Sequence, residues 1–148
     1  MKYLLDSNTV SDIYNSSSDN HNRFIRKILA LKENDDVFIS ILTLYEFEYA
    51  FSNSPIQKKN EIRATIWQIQ QDFIVLPLST TAAEIFGDLK KSLKELRNIK
   101  PENLKKHTID LMISADALNH HAILVSADKI YSDIQIIKPE LKLENWII

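Results

Sequence analysis

The amino-acid sequence predicts an α/β sandwich with a mainly parallel sheet of four or five strands. Two observations support this prediction. Short apolar runs of strand length alternate along the chain with longer stretches in which apolar residues recur at helical spacing. The chain has 148 residues and contains neither an internal repeat nor a Pro/Gly/Ser-rich linker, so we expect a single domain over residues 1–148.

The predicted strands are short apolar runs that border residues favouring turns or helix caps. The first run stops at Asp6, and the third is closed by Pro77. The runs are residues 2–5, 37–40, 73–76 and 122–125, with 135–137 as a candidate fifth strand.

Helix-capping signals place the helices between these runs. Ser54, followed by Pro55, is typical of an N-cap and opens a helix to about residue 71. Thr81 and Glu84 have the spacing of a capping box at the start of a helix with a regular apolar stripe. Thr108 is placed to cap a helix over residues 109–120.

The composition excludes several classes of functional site. Cysteine is absent, which excludes disulfide scaffolds, thiolate zinc sites, iron–sulfur clusters and cysteine nucleophiles. Gly87 is the one glycine, so the glycine-rich loops that bind phosphate and the Gly-x-Ser-x-Gly nucleophile elbow are excluded as well. No apolar run is long enough for a signal peptide or a membrane span, and we expect a cytoplasmic protein that does not enter a membrane.

Four acidic residues lie close to the predicted carboxyl ends of strands, where parallel sheets bind ligands. They are Asp6 after the first strand, Glu46 in the helix after the second, Asp110 in the helix before the fourth, and Asp128 after the fourth. Each alone is explained as a cap or a solvated residue. Together, four carboxylates at one edge would repel one another unless a cation lay between them. Oxygen ligands without cysteine favour Mg²⁺ or Mn²⁺ over zinc.

Two further aspartates lie near these acids in the sequence. Asp133 is close enough to Asp128 to take its place after a shift of the loop. Asp116 lies six residues after Asp110, about 120° around a helix, so we do not expect the two to share ligands.

Four segments of the chain carry a family resemblance. They read Leu4-Leu5-Asp6-Ser7-Asn8, Ile39-Ser40-x-x-Thr43-x-x-Glu46, Asp110-Leu-Met-Ile-Ser-Ala-x-Ala117 and Leu124-Val125-Ser126-Ala127-Asp128. In this order and spacing they resemble the PIN-domain nucleases, and most closely the VapC-type toxins of bacterial toxin–antitoxin pairs. The resemblance runs from residue 2 to residue 146. It departs from the family pattern at Ala50, Ala127 and Ser114, where glycine, asparagine and alanine are frequent.

The resemblance implies a three-layer α/β/α domain that hydrolyses RNA with Mg²⁺ or Mn²⁺. It implies that Asp6, Asp110 and Asp128 bind the metal. Glu46 would complete the ligand set or act through a water molecule. The polar residues that would orient these carboxylates are Ser7, Asn8 and Ser126. The family further implies a homodimer and a cognate antitoxin.

Two other surfaces are candidates for binding. Residues 88–106 carry seven basic and three acidic side chains, and a strip on the predicted helix could bind RNA phosphates or simply be solvated. The strip consists of Lys90, Lys91, Lys94 and Arg97. The helix after the second strand is aromatic on two faces, Tyr45 with Tyr49 and Phe47 with Phe51, which exceeds what one core contact needs.

Two alternatives to a nuclease remain open from the sequence. Asp6-Ser7-Asn8 resembles the motif of haloacid-dehalogenase-like phosphatases, although that motif requires a second acid where Asn8 stands. The other alternative is a non-catalytic binding domain of the same fold.

Overall fold

A computed structural model describes residues 1–97 and 100–148. Within these residues the chain forms five strands and eight helices. The strands are β1 (Lys2–Leu5), β2 (Asp36–Ser40), β3 (Ile74–Leu76), β4 (Ile123–Val125) and β5 (Lys142–Glu144). The helices are α1 (Ser7–Ile13), α2 (His21–Leu29), α3 (Ile41–Asn53), α4 (Ile56–Asp72), α5 (Thr80–Arg97), α6 (Pro101–Lys105), α7 (Thr108–His120) and α8 (Lys129–Ile137).

The strands form one parallel sheet in the order β3-β2-β1-β4-β5, which confirms the predicted α/β class. β1 is the central strand, and its Leu4 pairs with Phe38 on one side and Leu124 on the other. All five carboxyl ends therefore lie along one edge of the sheet. The loops and helix starts at this edge bring residues from distant parts of the sequence together.

Two hydrophobic clusters cover the two faces of the sheet and make the fold three-layered. Successive strand residues point to opposite faces, so Leu4 packs in one cluster and Leu5 in the other. α5, α7 and α8 cover the first face, whereas α1, α2, α3 and α4 cover the second. Leu93 of α5 and Ile69 of α4 are fully buried representatives of the two layers.

The predicted fifth strand was wrong. Residues 135–137 form the last turn of α8, and β5 lies further along the chain, at Lys142–Glu144. The buried side chains of α8 are Ile130, Tyr131 and Ile134, which recur at helical spacing. The apolar residues at 134–137 therefore belong to a helix that ends at Ile137, with Lys138 as its C-cap directly before a proline.

The predicted cap at Thr108 was wrong, because α7 begins at Thr108 itself and its N-cap is His107. Two further predicted helix caps were also wrong. Ser54 ends α3 and donates its hydroxyl to the carbonyl oxygen of Ala50 at 2.6 Å, so it does not cap α4. α5 begins one residue before Thr81, and the hydroxyl of Ser79 accepts the N–H of Ala82 at 3.1 Å. In both places a serine close to the helix boundary makes the capping contact at a different position from the one predicted.

Over the described ranges, no helix is both long and apolar enough to cross a bilayer.

Candidate active site

Asp6 lies at the point where β1 ends and α1 begins, and its side chain is fixed on both sides. The residue is 4% exposed. As the N-cap of α1, it accepts the N–H of Thr9 on Oδ1 at 2.8 Å, and its Oδ2 accepts the hydroxyl of Ser126. Its own N–H donates to the carbonyl of Val125 at 3.2 Å, which joins it to the end of β4.

Asp128 caps the helix that follows β4. Its Oδ1 accepts the N–H of Ile130 at 3.2 Å, and its own N–H donates to Oγ of Ser126 at 3.0 Å. Ser126 thus donates to Asp6 and accepts from Asp128, so one hydroxyl links the two aspartates across the ends of neighbouring strands.

Asp110 approaches the same edge from the first turn of α7. Its side chain is 27% exposed. The hydroxyl of Tyr131 donates to Oδ1 at 3.3 Å, and Nδ1 of His107 lies 3.5 Å from Oδ2. Tyr131 belongs to α8, the helix that Asp128 caps, and this contact therefore holds α7 against α8 beside the acids.

The three aspartates share one electrostatic environment. Burial raises the pKa of Asp6 most strongly, hydrogen bonds from Ser126 and Thr9 lower it, and the charge of Asp128 raises it. Burial also raises the pKa of Asp110, which the hydrogen bond with His107 lowers and the charge of Asp128 raises.

The buried hydroxyl of Tyr131 experiences all three of these charges. Its pKa is raised first by burial and then by the negative charges of the neighbouring carboxylates. Those carboxylates are Asp110, Asp6 and Asp128. All three predicted aspartates therefore contribute to the electrostatic environment of one side chain, which is in contact with Asp110.

Glu46 lies on α3 and joins the cluster through Ser7. The Ser7 hydroxyl donates to Oε1 of Glu46 at 2.7 Å and lies 3.0 Å from Oγ1 of Thr43. Because Ser7 directly follows Asp6, this contact places Glu46 beside the aspartates.

The remaining predicted residues lie at different distances from this centre. Asn8 is exposed and lines an open cleft of about 250 Å³ together with Asp6 and Asp128. Asp133 lies on α8, roughly 7 Å along the helix from Asp128. Asp116 is buried against Ser40.

The predicted basic strip lies on α5. Lys91 and Lys94 are exposed, and Nζ of Lys90 lies 5.7 Å from the ring centroid of Phe86. The side chain of Arg97 lies outside the described residues.

Several contacting residues were not singled out from the sequence. The N–H of Thr9 donates to Asp6, and Oγ1 of Thr43 lies within hydrogen-bond distance of the Ser7 hydroxyl. Tyr131 and His107 both contact Asp110. Thr43 stands inside one of the family motifs, so the sequence offered a signal for it. The contact of Tyr131 with Asp110 joins two different helices and has no such signal.

The donor set of this site suits a hard cation. Within residues 1–97 and 100–148, no three Asp, Glu, His or Cys side chains are already grouped into a metal cage. Nevertheless, burial and the negative charge of Asp128 raise the pKa values of Asp6 and Asp110. A cation between these carboxylates would remove the repulsion among their charges. Carboxylate oxygens are the ligands that Mg²⁺ and Mn²⁺ prefer.

Comparisons with known proteins identify the family and the fold. The family model described as PIN domain matches residues 3–137. The chain is 26% identical over 148 residues to Ribonuclease VapC2 of Rickettsia felis, covering 99% of this chain and 98% of that protein. It superimposes on the structure of VapBC2 from Rickettsia felis bound to a DNA fragment from their promoter with a TM-score of 0.78, at 24% identity and 99% coverage of both chains.

A second solved structure shows the same fold. VapBC-1 from nontypeable Haemophilus influenzae matches with a TM-score of 0.77 at 19% identity, covering 99% of this chain and 98% of that one. The family match spans most of the sequence and includes Asp6, Glu46, Asp110 and Asp128. The chain belongs to the PIN-domain family.

Proposed function

We propose that this protein is a Mg²⁺- or Mn²⁺-dependent endoribonuclease and the toxin of a type II toxin–antitoxin pair. The observation that carries the proposal is the placement of three aspartates at the carboxyl edge of the sheet: Ser126 links Asp6 to Asp128, and the hydroxyl of Tyr131 joins Asp110 to the helix that Asp128 caps. The named activity of the Rickettsia felis relative, a ribonuclease, supports the same reaction class. The family match favours this reading over a haloacid-dehalogenase-like phosphatase.

Asp6, Asp110 and Asp128 would hold the metal, and Glu46 would complete the ligand set or position the attacking water. When bound, such an ion lowers the pKa of a water molecule and stabilises the charge that develops on the phosphodiester. Ser126 would fix the carboxylate of Asp6 relative to the main chain of Asp128, since its hydroxyl contacts both.

Two neighbouring groups support the remaining acids. Ser7 would hold Glu46 at a fixed distance from Asp6, since its hydroxyl already donates to Glu46. Tyr131 would hold Asp110 by its hydrogen bond at 3.3 Å. Asn8 lines the adjoining cleft, where it would contact substrate or water.

The partners proposed for this chain are an RNA substrate, a cognate antitoxin and a second copy of itself. The similarity to the VapBC2 and VapBC-1 structures supports an antitoxin partner, since VapBC-5 from Mycobacterium tuberculosis is a member of the VapBC family of toxin–antitoxin systems. Tyr45 and Tyr49 on α3 are 67% and 71% exposed, and Trp67 on α4 is 60% exposed. Exposed aromatic side chains are common in protein interfaces, so α3 and α4 would supply apolar contact area.

The test is cleavage of a mixed pool of structured RNA by the purified protein in Mg²⁺, in Mn²⁺ and in EDTA. Discrete products that require metal are expected, and Asp110→Asn should abolish them. Asp128→Asn and Asp133→Asn form a matched pair on one helix: the first should lose cleavage and the second should retain it. Metal-dependent cleavage by Asp110→Asn would overturn the assignment.

The toxin role needs a separate test in cells. Induced expression without a partner should arrest bacterial growth, and expression of Asp110→Asn to the same level should not. Unaffected growth at a verified level of folded wild-type protein would contradict the toxin role while leaving the nuclease activity open to the cleavage assay.

A further inference from the structure

α2 has a basic face that is separate from the basic strip predicted on α5. The helix carries three cationic side chains, Arg23, Arg26 and Lys27, and no acidic residue. All three are exposed, whereas Phe24 of the same helix is buried in the core. Helical spacing places the three cations on adjacent parts of one face. The core contact therefore fixes the direction in which the positive charge points.

An open trough of about 590 Å³ separates this face from the last residues of the described chain. It is lined by Arg23, Arg26, Lys27 and the segment from Trp146 onward. The guanidinium of Arg23 donates to the main-chain carbonyl of Ile147, which fixes α2 against that segment. In the described part of the chain, Arg26 and Lys27 form no ion pair with an acidic side chain. Their charges are thus available to an external anion.

The trough adjoins the candidate active site at Ile147. Ile147 lines the trough and also lines the cleft of about 250 Å³ that contains Asp6, Asn8 and Asp128. A strand that crosses Ile147 on leaving the acidic cleft would reach the space beside Arg26 and Lys27.

The charge of the active site explains why such a surface is needed. The cleft is acidic, with Asp12 adding to the charges of Asp6 and Asp128. The protein as a whole carries a net charge of −2, so no global field attracts a polyanion. A nucleic-acid strand gains affinity from neutralisation of its phosphates by lysine and arginine. Cations next to the acidic cleft supply that neutralisation close to the reacting phosphate.

We propose that the α2 face is the phosphate-binding path for RNA, in which Arg26 and Lys27 bind backbone phosphates of the strand that leaves the active site past Ile147. The inference rests on the proposed ribonuclease function and adds the residues that hold its substrate. Arg23 is a positioning residue here, because its guanidinium is already bonded to the protein. The α5 lysines are the alternative path, and the experiment compares the two directly.

The experiment uses the full chain with two matched double variants. Arg26→Ala with Lys27→Ala removes two exposed cations from α2, and Lys91→Ala with Lys94→Ala removes two exposed cations from α5. Binding of a fluorescent single-stranded RNA is measured by anisotropy between 50 and 200 mM salt, in EDTA so that no cleavage occurs. Circular dichroism melting verifies that both variants fold as the wild type does.

The α2 variant should bind RNA about tenfold more weakly, and the slope of log affinity against log salt should fall by about two, one for each lost contact. The α5 variant should bind within about twofold of wild type. It loses the same two charges as the α2 variant, so a general effect of charge would weaken RNA binding equally in both. In cleavage assays the α2 variant should raise KM and leave kcat at saturating RNA unchanged.

Equal losses in both variants would overturn the proposal in favour of diffuse attraction, and a larger loss in the α5 variant would assign the path to α5. Wild-type affinity of the α2 variant would also overturn it and leave that face to a protein partner such as an acidic antitoxin segment. If the wild type binds RNA but never cleaves it, the ribonuclease function fails while the binding comparison still decides the path.

Discussion

Asp116 offers the sharpest prediction about stability, because it is an acid buried outside the candidate site. The residue is 2% exposed, and within the described structure its Oδ2 has no hydrogen-bond partner. Burial raises the pKa of its carboxyl, while a hydrogen bond with Ser40 and the nearby His120 lower it by less. We predict that Asp116→Asn stabilises the protein at neutral pH.

The sign follows from proton linkage. A carboxyl whose pKa is higher in the folded state than in the unfolded state binds its proton more tightly after folding. Its contribution to stability is fully present below the unfolded-state pKa and is lost as pH rises through the folded-state pKa. The wild type loses this contribution on going from acid to neutral pH, whereas the asparagine variant has no such titration.

The magnitude follows from the cost of a buried polar group that is left without a partner, about 1–3 kcal/mol. Asparagine removes the charge but keeps a polar group in the same place, so we expect a gain of about 1 kcal/mol at pH 7.5. In a chain of this length that corresponds to a rise in Tm of about 3 °C. The gain should shrink towards zero near pH 4.

The assay is urea unfolding of both proteins in EDTA from pH 4 to pH 8. The other acids titrate in both proteins, so the difference between the two unfolding free energies isolates Asp116. A variant that is less stable than wild type at pH 7.5, or a difference that does not change with pH, would refute this reasoning.

Three further substitutions test the site and the core. Tyr131→Phe removes the hydroxyl donated to Asp110, so Mn²⁺ binding measured by calorimetry should weaken several-fold, whereas unchanged affinity would show that the contact is dispensable. Ser126→Ala removes the link between Asp6 and Asp128 and should cost about 10- to 100-fold in the same measurement; a loss no larger than that of Tyr131→Phe would contradict the linking role. Leu93→Ala, at a fully buried position, should lower the unfolding free energy by about 2–5 kcal/mol in urea, and a loss below 1 kcal/mol would mean that the core collapses around the gap.

Much of the fold was predictable because its signals are local. The first strand was predicted with its observed bounds, since an apolar run that meets Asp6 has few other interpretations. The alternation of strands and helices predicted the parallel sheet. Because such sheets bind ligands at the carboxyl ends of their strands, it also indicated Asp6 and Asp128, which cap α1 and α8.

The features that were missed depend on tertiary contacts. β5 has one strongly apolar residue, Leu143, and forms because β4 offers a free edge, so its own sequence gives little strand signal. The role of Tyr131 depends on how α7 packs against α8, which no sequence spacing encodes. The basic face of α2 lies beside the candidate site because α2 packs against Ile147, which is more than a hundred residues away in the chain.

The most direct test of the central claim is a crystal of the full chain soaked in MnCl₂, with anomalous diffraction recorded at the manganese edge. The account predicts an anomalous peak between the carboxylates of Asp6, Asp110 and Asp128, and loss of that peak in Asp110→Asn crystals of the same form. A peak elsewhere on the surface, or none there while cleavage still depends on Mn²⁺, would contradict the claim that these three aspartates form the metal centre.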